Sequence, residues 1–577
     1  MTADSSPPQR SAWAPFRHRL FAAMWSAQFV SNIGSWMQTV AAQWLMLTLT
    51  SSATYVALVQ TAAGLPVVLF AVVAGTVGDL VDRRRFLLGT QVLMLAAAAA
   101  LGGLAIAGLV TPWSLLVLLF AVGTGQALTS PTWQTLQPEL VTPDERTQAI
   151  SLGAVNQNLA RAIGPAIGGL LLAATSAGAV FLVNAATFVV VIAVIAVWRS
   201  GTRQADALPR EHAGEAIRAG GRYIAASPVL RAILIRAGLF IFFASAIWAL
   251  LPLTAEAQLH LGSGGYGLLL GCVGIGAVAG AALLPRLRAR LSPNLLLAAG
   301  SIGLAVVALV MGLVQVTAVV AIALAFGGTC WILALSTLNS AYQLSLPGWI
   351  KARGMSFYLV VFQGGNAIGS AVMGFAAQHA GLSPILLAAA AGLVLGPFAA
   401  LRWRFQTIKP DELLPSGDWP QPRMTAPEAT GGPVMVSVEY QSLPGHADEL
   451  IAMLRQARFS RRRTGATSWR AWEDAVRPGR ILEQFIVASW TEHLRQHERV
   501  TRRDTDRLDR IRALTDPAAP TSVTHWLTAR AGGQPPAPAI PERMAGIPAD
   551  RISRRTRFGR RQTTPSDSRG VGRETGA

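Results

Sequence analysis

Arg161 stands alone among apolar residues in "NQNLARAIGP", residues 156–165, with Asn158 three places before it and Gln157 four. On a helix those offsets fall on one face. A guanidinium there has three chemistries open to it. It can hold an anionic group of a substrate, pair with a carboxylate that relays protons, or serve as a structural partner for a carbonyl or an acid. A second stretch, "GTVGDLVDRRR" at residues 75–85, packs five ionisable side chains into the one interruption of an apolar run. Such a cluster suits either the catalytic loop of a soluble enzyme or the wet turn between two membrane-spanning helices.

Composition decides between these. Hydrophobic residues make up 52% of the 577 and charged residues 14%, against about 25% charged in a soluble domain. The mean hydropathy is +0.41. The net charge of +19 comes almost wholly from arginine, since Lys351 and Lys409 are the only lysines. Most of these arginines lie beside apolar runs or in the last hundred residues, which favours an anionic membrane surface as partner. No basic region with interleaved aromatics suits nucleic acid. Cys272 and Cys330 sit inside apolar runs with no ligand spacing, so no metal is expected and they read as small buried hydrophobes. No phosphate-binding Gly-rich loop ending in Lys-Ser/Thr is present, which argues against ATP hydrolysis, and no cofactor is expected. The N-terminal residues show no secretory signal.

About twenty apolar residues span a bilayer. Candidate spans are 20–48, 53–78, 86–109, 112–137, 147–173 and 178–198, then 229–255, 264–284, 294–315, 318–345, 354–378 and 383–402. The expected fold is therefore an all-α polytopic membrane protein of twelve helices in two six-helix halves. Alternate loops hold Arg17 and Arg19, Arg83 to Arg85, Arg146, Arg199 to Arg222, Arg286 to Arg290, Lys351 with Arg353, and Arg402 with Arg404. The intervening loops hold no Lys or Arg. Arg-rich short loops stay in the cytoplasm, so a multi-pass protein of the bacterial inner membrane with both termini cytoplasmic is expected. The organisation reads as an N-terminal segment 1–19, a first half 20–199, a central loop 200–228, a second half 229–404, a linker 405–432, a soluble domain 433–530 and a basic tail 531–577 expected to be disordered.

An internal repeat supports the two halves. A shift of 205 residues lays Gly75 on Gly280, Gly123-Thr124 on Gly328-Thr329, Ser151 on Ser356, Gly164 on Gly369 and Trp198-Arg199 on Trp403-Arg404. Parallel six-helix repeats are the architecture of major facilitator transporters. The chain resembles that superfamily in two motifs. Gly75, Asp79, Asp82, Arg83 and Arg84 match its cytoplasmic signature between spans two and three. Gly164, Pro165 and Gly168 resemble the Gly-Pro signature of its exporters, although Ala160 and Ser151 stand where that pattern prefers Gly. The wording around both motifs is similar to a bacterial subfamily of enterobactin exporters and macrolide efflux proteins.

The resemblance implies a latch. Asp79 is expected to engage a helix N-terminus in the other half, where partial positive charge favours a carboxylate, with Arg83 and Arg84 in support. Leu284 occupies the repeat position of Asp79, so one half carries the latch. It also implies a central cavity, proton coupling and a small-molecule substrate. Pro165 removes a backbone hydrogen bond from span five, and its neighbouring glycines permit close helix approach. Arg161 is expected to face the cavity, because ionisable groups at membrane depth are costly and functional by default. Asn158, Gln157, Asn32, Gln126 and Asn366, the last at the repeat position of Arg161, are further lining candidates, each also suited to a plain interhelical hydrogen bond.

Beyond the linker, the order β-α-β-β-α-β predicts a ferredoxin-like domain. The passage "SWTEHLRQHERV" resembles the antibiotic-biosynthesis-monooxygenase fold, which implies self-association. Haem-degrading relatives of that fold use a Trp, a His and an Asn. Trp490, His493 and His497 are present here, but the first strand supplies no Asn, so catalysis is not expected. The reading is a secondary transporter exporting small amphipathic compounds of siderophore, antibiotic or drug-like kind. Its rivals are an importer, a transporter fused to an oxygenase acting on the transported compound, and a sensor that keeps the fold without transport.

Overall fold

A computed structural model describes residues 11, 13–80, 82–198, 213–398, 410–414, 416 and 432–528. Helices dominate. The first six are α1 (Arg19–Leu49), α2 (Ala53–Leu80), α3 (Arg83–Ile106), α4 (Pro112–Leu136), α5 (Arg146–Ala174) and α6 (Ala177–Val197). An amphipathic helix, α7 (Ala213–Ala225), lies in the stretch read from sequence as a plain central loop. Then come α8 (Pro228–Leu253), α9 (Ser263–Arg290), α10 (Pro293–Leu313), α11 (Thr317–Leu344), α12 (Lys351–Ala380) and α13 (Leu382–Leu395). Nine of these, among the described residues, are long and apolar enough to cross a membrane, and Leu382–Phe398 is a shorter apolar helix. The other two long helices, α1 and α5, are diluted by amides and by Arg161.

Close backbone approach gives the repeat its physical content. Gly164 lies against Ile33 and Trp36 of α1, and Gly369 lies against Phe242 of α8 in the same way. Gly123 meets Ala63 of α2, while Gly328 meets Val273 of α9. A side chain at any of these positions would strike neighbouring backbone, so each pair of helices needs glycine where they cross. The offset partner Trp403-Arg404 lies outside the described residues, as do the linker from 417 to 431 and the tail.

Contacts between the halves gather at the end opposite the arginine-bearing loops. There the Tyr266 hydroxyl donates to Gln43 Oε1 at 2.7 Å, and the Trp44 and Tyr266 rings stack at 5.8 Å. Ala53 N donates to Gln378 Oε1 at 2.6 Å, and Thr61 Oγ1 to the Ala367 carbonyl at 2.8 Å. Gly169 of α5 packs on Gly267 of α9, backbone to backbone. Towards the arginine-bearing end, no hydrogen bond or ion pair among the described residues joins the halves.

The soluble part has β1 (Val434–Gln441), α14 (Ala447–Thr464), β2 (Ala466–Glu473), β3 (Arg480–Val487), α15 (Trp490–Glu498), α16 (Arg502–Arg512) and β4 (Ser522–Leu527). Its four strands form one antiparallel sheet in the order β2-β3-β1-β4. The sequence from 491 to 514 reads as one charged helix, but it breaks in two. Thr501 caps α16, receiving the Asp504 amide while the Asp504 carboxylate accepts from the Thr501 amide. This reciprocal capping box starts a new helix and ends the old one.

Candidate functional site

Helix α5 carries Arg161 fifteen residues from its start, about 22 Å along the axis at 1.5 Å per residue. The helix continues through Pro165, and Gly164 and Gly168 seat it directly on α1 at Ile33, Trp36 and Met37. That approach puts the Arg161 guanidinium over the Trp36 ring, 5.4 Å from its centroid. Its Nε is buried without a hydrogen-bond partner among the described residues. No acid pairs with it there. Indole is the best ring for holding a cation, yet it offers no counter-charge. The result is a guanidinium at mid-membrane depth, fixed in place with bonding capacity to spare.

The remaining polar candidates divide. Gln157 and Asn158 are exposed on the arginine-bearing side of Arg161, and Asn158 donates back to the Ala154 carbonyl of its own helix at 2.9 Å. Gln126 is exposed and Asn366 half-buried. Asn32 is engaged elsewhere: it receives Gln28 Nε2 at 2.9 Å and donates to Asn156 Oδ1 at 2.8 Å, while Asn156 donates to the Trp25 carbonyl. This ladder ties α1 to α5. The structure therefore brings Arg161 to Trp36 and Asn32 to Asn156, and no hydrogen bond among the described residues joins Arg161 to Gln157, Asn158, Gln126 or Asn366.

At the arginine-bearing end, Asp82 caps α3 by accepting the Arg85 amide at 2.8 Å. Arg83 pairs with Glu139 at 2.8 Å, and Arg84 donates to the Ile195 and Ala196 carbonyls at the end of α6. These last contacts satisfy terminal carbonyls and meet the negative end of the helix dipole. All three residues thus act within the first half here. The Gly75 and Asp79 positions fall in α2, but their surroundings lie outside the described residues.

Three participants were missed by sequence reasoning. Trp36 gave no signal, since an aromatic in an apolar run is ordinary. Asn156 stood in the quoted motif but was passed over. Arg236 is 3% exposed, eight residues into α8, with Nη1 2.5 Å from Asn294 Oδ1. Its place inside an apolar run was the available signal.

In the soluble part, His493 is buried and its Nε2 lies 2.9 Å from His525 Nε2 and 3.3 Å from His497 Nε2, with Nδ1 3.1 Å from Gln496 Oε1. Burial pushes the His493 imidazole down to about 4 and lowers that of His525. Trp490 is buried and packs edge-on against His493 at 5.6 Å. Beneath them Glu483 accepts from Arg461, Tyr440 and Trp469. Burial alone would raise its carboxyl, but Arg461 and these hydrogen bonds hold it low.

Comparison with known proteins bears on the whole assembly. The profile of a family described as transmembrane secretion effectors matches residues 10–532. The enterobactin exporter EntS of Escherichia coli O1:K1 is 27% identical over 391 residues, covering 66% of this chain and 89% of that relative. A staphyloferrin A transporter of Staphylococcus aureus is 29% identical over 168 residues, 29% of this chain but only 42% of that relative's length. Among solved structures, the nucleoside transporter NupG superposes with a TM-score of 0.55 at 11% identity, covering 67% of this chain and all of that one.

Proposed function

We propose that this chain, which belongs to the transmembrane secretion effector family of major facilitator transporters, exports small amphipathic compounds with an anionic or chelating group. It does so by alternating access between two six-helix halves spanning the inner membrane, with both termini cytoplasmic. The observation that carries this reading is Arg161 over Trp36. A flat indole with an adjoining cation at mid-membrane depth suits an amphipathic anion, whose apolar part lies on the ring while its charge meets the guanidinium. Two of its relatives are named as an enterobactin exporter and a staphyloferrin A transporter, which supports a siderophore-like substrate.

With the arginine-bearing loops in the cytoplasm, the contacts between halves close the outer side and leave Gln157, Asn158 and Arg161 approachable from within. That is the loading state of an exporter. Closure of the inner side needs new contacts, and the α2–α12 register supports a partner for Asp79. Gly374 meets Ala57, Thr61 bonds Ala367 and Gly64 meets Gln363. The two helices run antiparallel, so the same register continued would bring Asp79 to the segment from Gly348 to Lys351, where α12 begins. The positive end of that helix favours a carboxylate. Protons are the proposed coupling partner, and the soluble domain is read as non-catalytic.

The test is uptake of a labelled catecholate siderophore by inverted membrane vesicles. Accumulation driven by an imposed pH gradient and abolished by a protonophore is expected. Accumulation in right-side-out vesicles instead would make the protein an importer.

A further inference from the structure

The soluble part is not merely tethered to the bundle. Arg499, at the end of α15, lays its guanidinium over the Trp349 ring at 4.5 Å, and Trp349 lies in the short turn of 3-10 helix, Gly348–Ile350, that leads into α12. Trp349 in turn packs edge-on against Tyr223 of α7 at 5.5 Å. Glu492 of α15 lies among three arginines, 2.7 Å from Arg499, 3.8 Å from Arg495 and 3.4 Å from Arg222 of α7. Arg463, at the end of α14, reaches over Tyr223 at 6.0 Å while pairing with Asp504 at 2.6 Å. Burial at this seam pushes the Tyr223 hydroxyl up to about 12. Helix α7 rests on α12, with Gly220 against Phe357 and Arg353. No hydrogen bond or ion pair among the described residues joins the soluble part to the first half.

We propose that Trp349, Arg499, Glu492 and Arg222 form a clamp by which the soluble domain covers the start of α12 and holds the transporter in its inward-open state. The proposal rests on the alternating-access reading above. Its core is a coincidence of place. The α2–α12 register, if it continued, would lead the proposed latch to the segment from Gly348 to Lys351, and Trp349 of that segment is the residue Arg499 covers. A contact that occupies a surface in one state and must yield it in the other biases the equilibrium toward the first. The clamp also fixes α7, the helix in the connection between the halves, to the second half. Closure therefore requires the domain to shift from Trp349. Anything that binds or pairs the soluble domain in a shifted position would release the brake, which gives the appended domain a role without catalysis.

The experiment uses the full-length protein with Cys272 and Cys330 replaced by serine and spin labels at positions 142 and 290. These sit on the arginine-bearing ends of the two halves. Trp349→Ala and Arg222→Ala both lie outside the soluble domain, so neither disturbs its fold. Trp349→Ala should raise the population with a short label-to-label distance about 3- to 10-fold, in keeping with the strength of a partly buried cation–π contact. Arg222→Ala, which removes the ion pair to Glu492, should shift it in the same direction. Trp349→Tyr, which keeps a ring face for Arg499, should restore most of the wild-type distribution. Unchanged populations in a protein that visits both distances, or a shift to longer distances, would overturn the clamp alone. If neither wild type nor variant ever shows a short distance, alternating access fails and the clamp fails with it.

Discussion

Arg161 shows how a single residue acquires meaning from what is withheld from it. An unpaired cation at the centre of a membrane helix costs about 2.5–3.5 kcal/mol even on lenient insertion scales, and Trp36 offsets part of that. The rest calls for water or an anionic substrate beside the guanidinium. Arg161→Gln should abolish transport of an anionic siderophore while membrane abundance stays normal. Arg161→Lys should retain a fraction, because it keeps the charge but loses the planar fork. Trp36→Ala should raise the apparent KM several-fold with a smaller effect on kcat. These outcomes are read in the vesicle assay alongside immunoblots of the membranes. Normal transport by Arg161→Gln would remove the residue from the substrate's path, and loss of both Arg161 variants from the membrane would make it structural. Asn32 teaches the complement: the same amide chemistry that reads as cavity lining is engaged in the α1–α5 ladder.

Among elements, the crossing of α5 with α9 brings the two halves into backbone contact. Gly169 and Gly267 touch backbone to backbone, so a methyl on either has nowhere to go. Gly169→Ala would gain about 1 kcal/mol of helix propensity yet impose an overpacking cost of about 1–3 kcal/mol. The net effect should open the outer end. Spin labels at 176 and 262, in the loops of the two halves on that side, should move apart in Gly169→Ala. An unchanged distance would mean the two helices slide rather than separate. Helix boundaries were largely legible beforehand, because apolar runs bounded by charged loops leave little choice of where a helix enters water. The break at Thr501 was legible too, in the Thr-x-x-Asp spacing of a capping box. The unbroken charged pattern around it concealed the break.

At the scale of the molecule, orientation follows from loop charge. A reporter fused near Arg210 or after Lys409 should behave as cytoplasmic and one near Ser176 as external. A cytoplasmic Ser176 fusion would invert the export direction drawn above. The sequence alone determined that the chain is a helical membrane protein with a repeated plan and a small α+β appendage, because hydropathy and charge act residue by residue and need no partner. It also determined the motif matches. Only the tertiary structure decided that Arg161 rests on Trp36, that the halves meet away from the arginines, that a helix lies in the central loop, and that the appended domain sits on Trp349. Each of those depends on which surfaces meet between residues far apart in the chain. Arg499 and Trp349 are separated by 150 positions of sequence and by 4.5 Å in space, and no local pattern encodes that meeting.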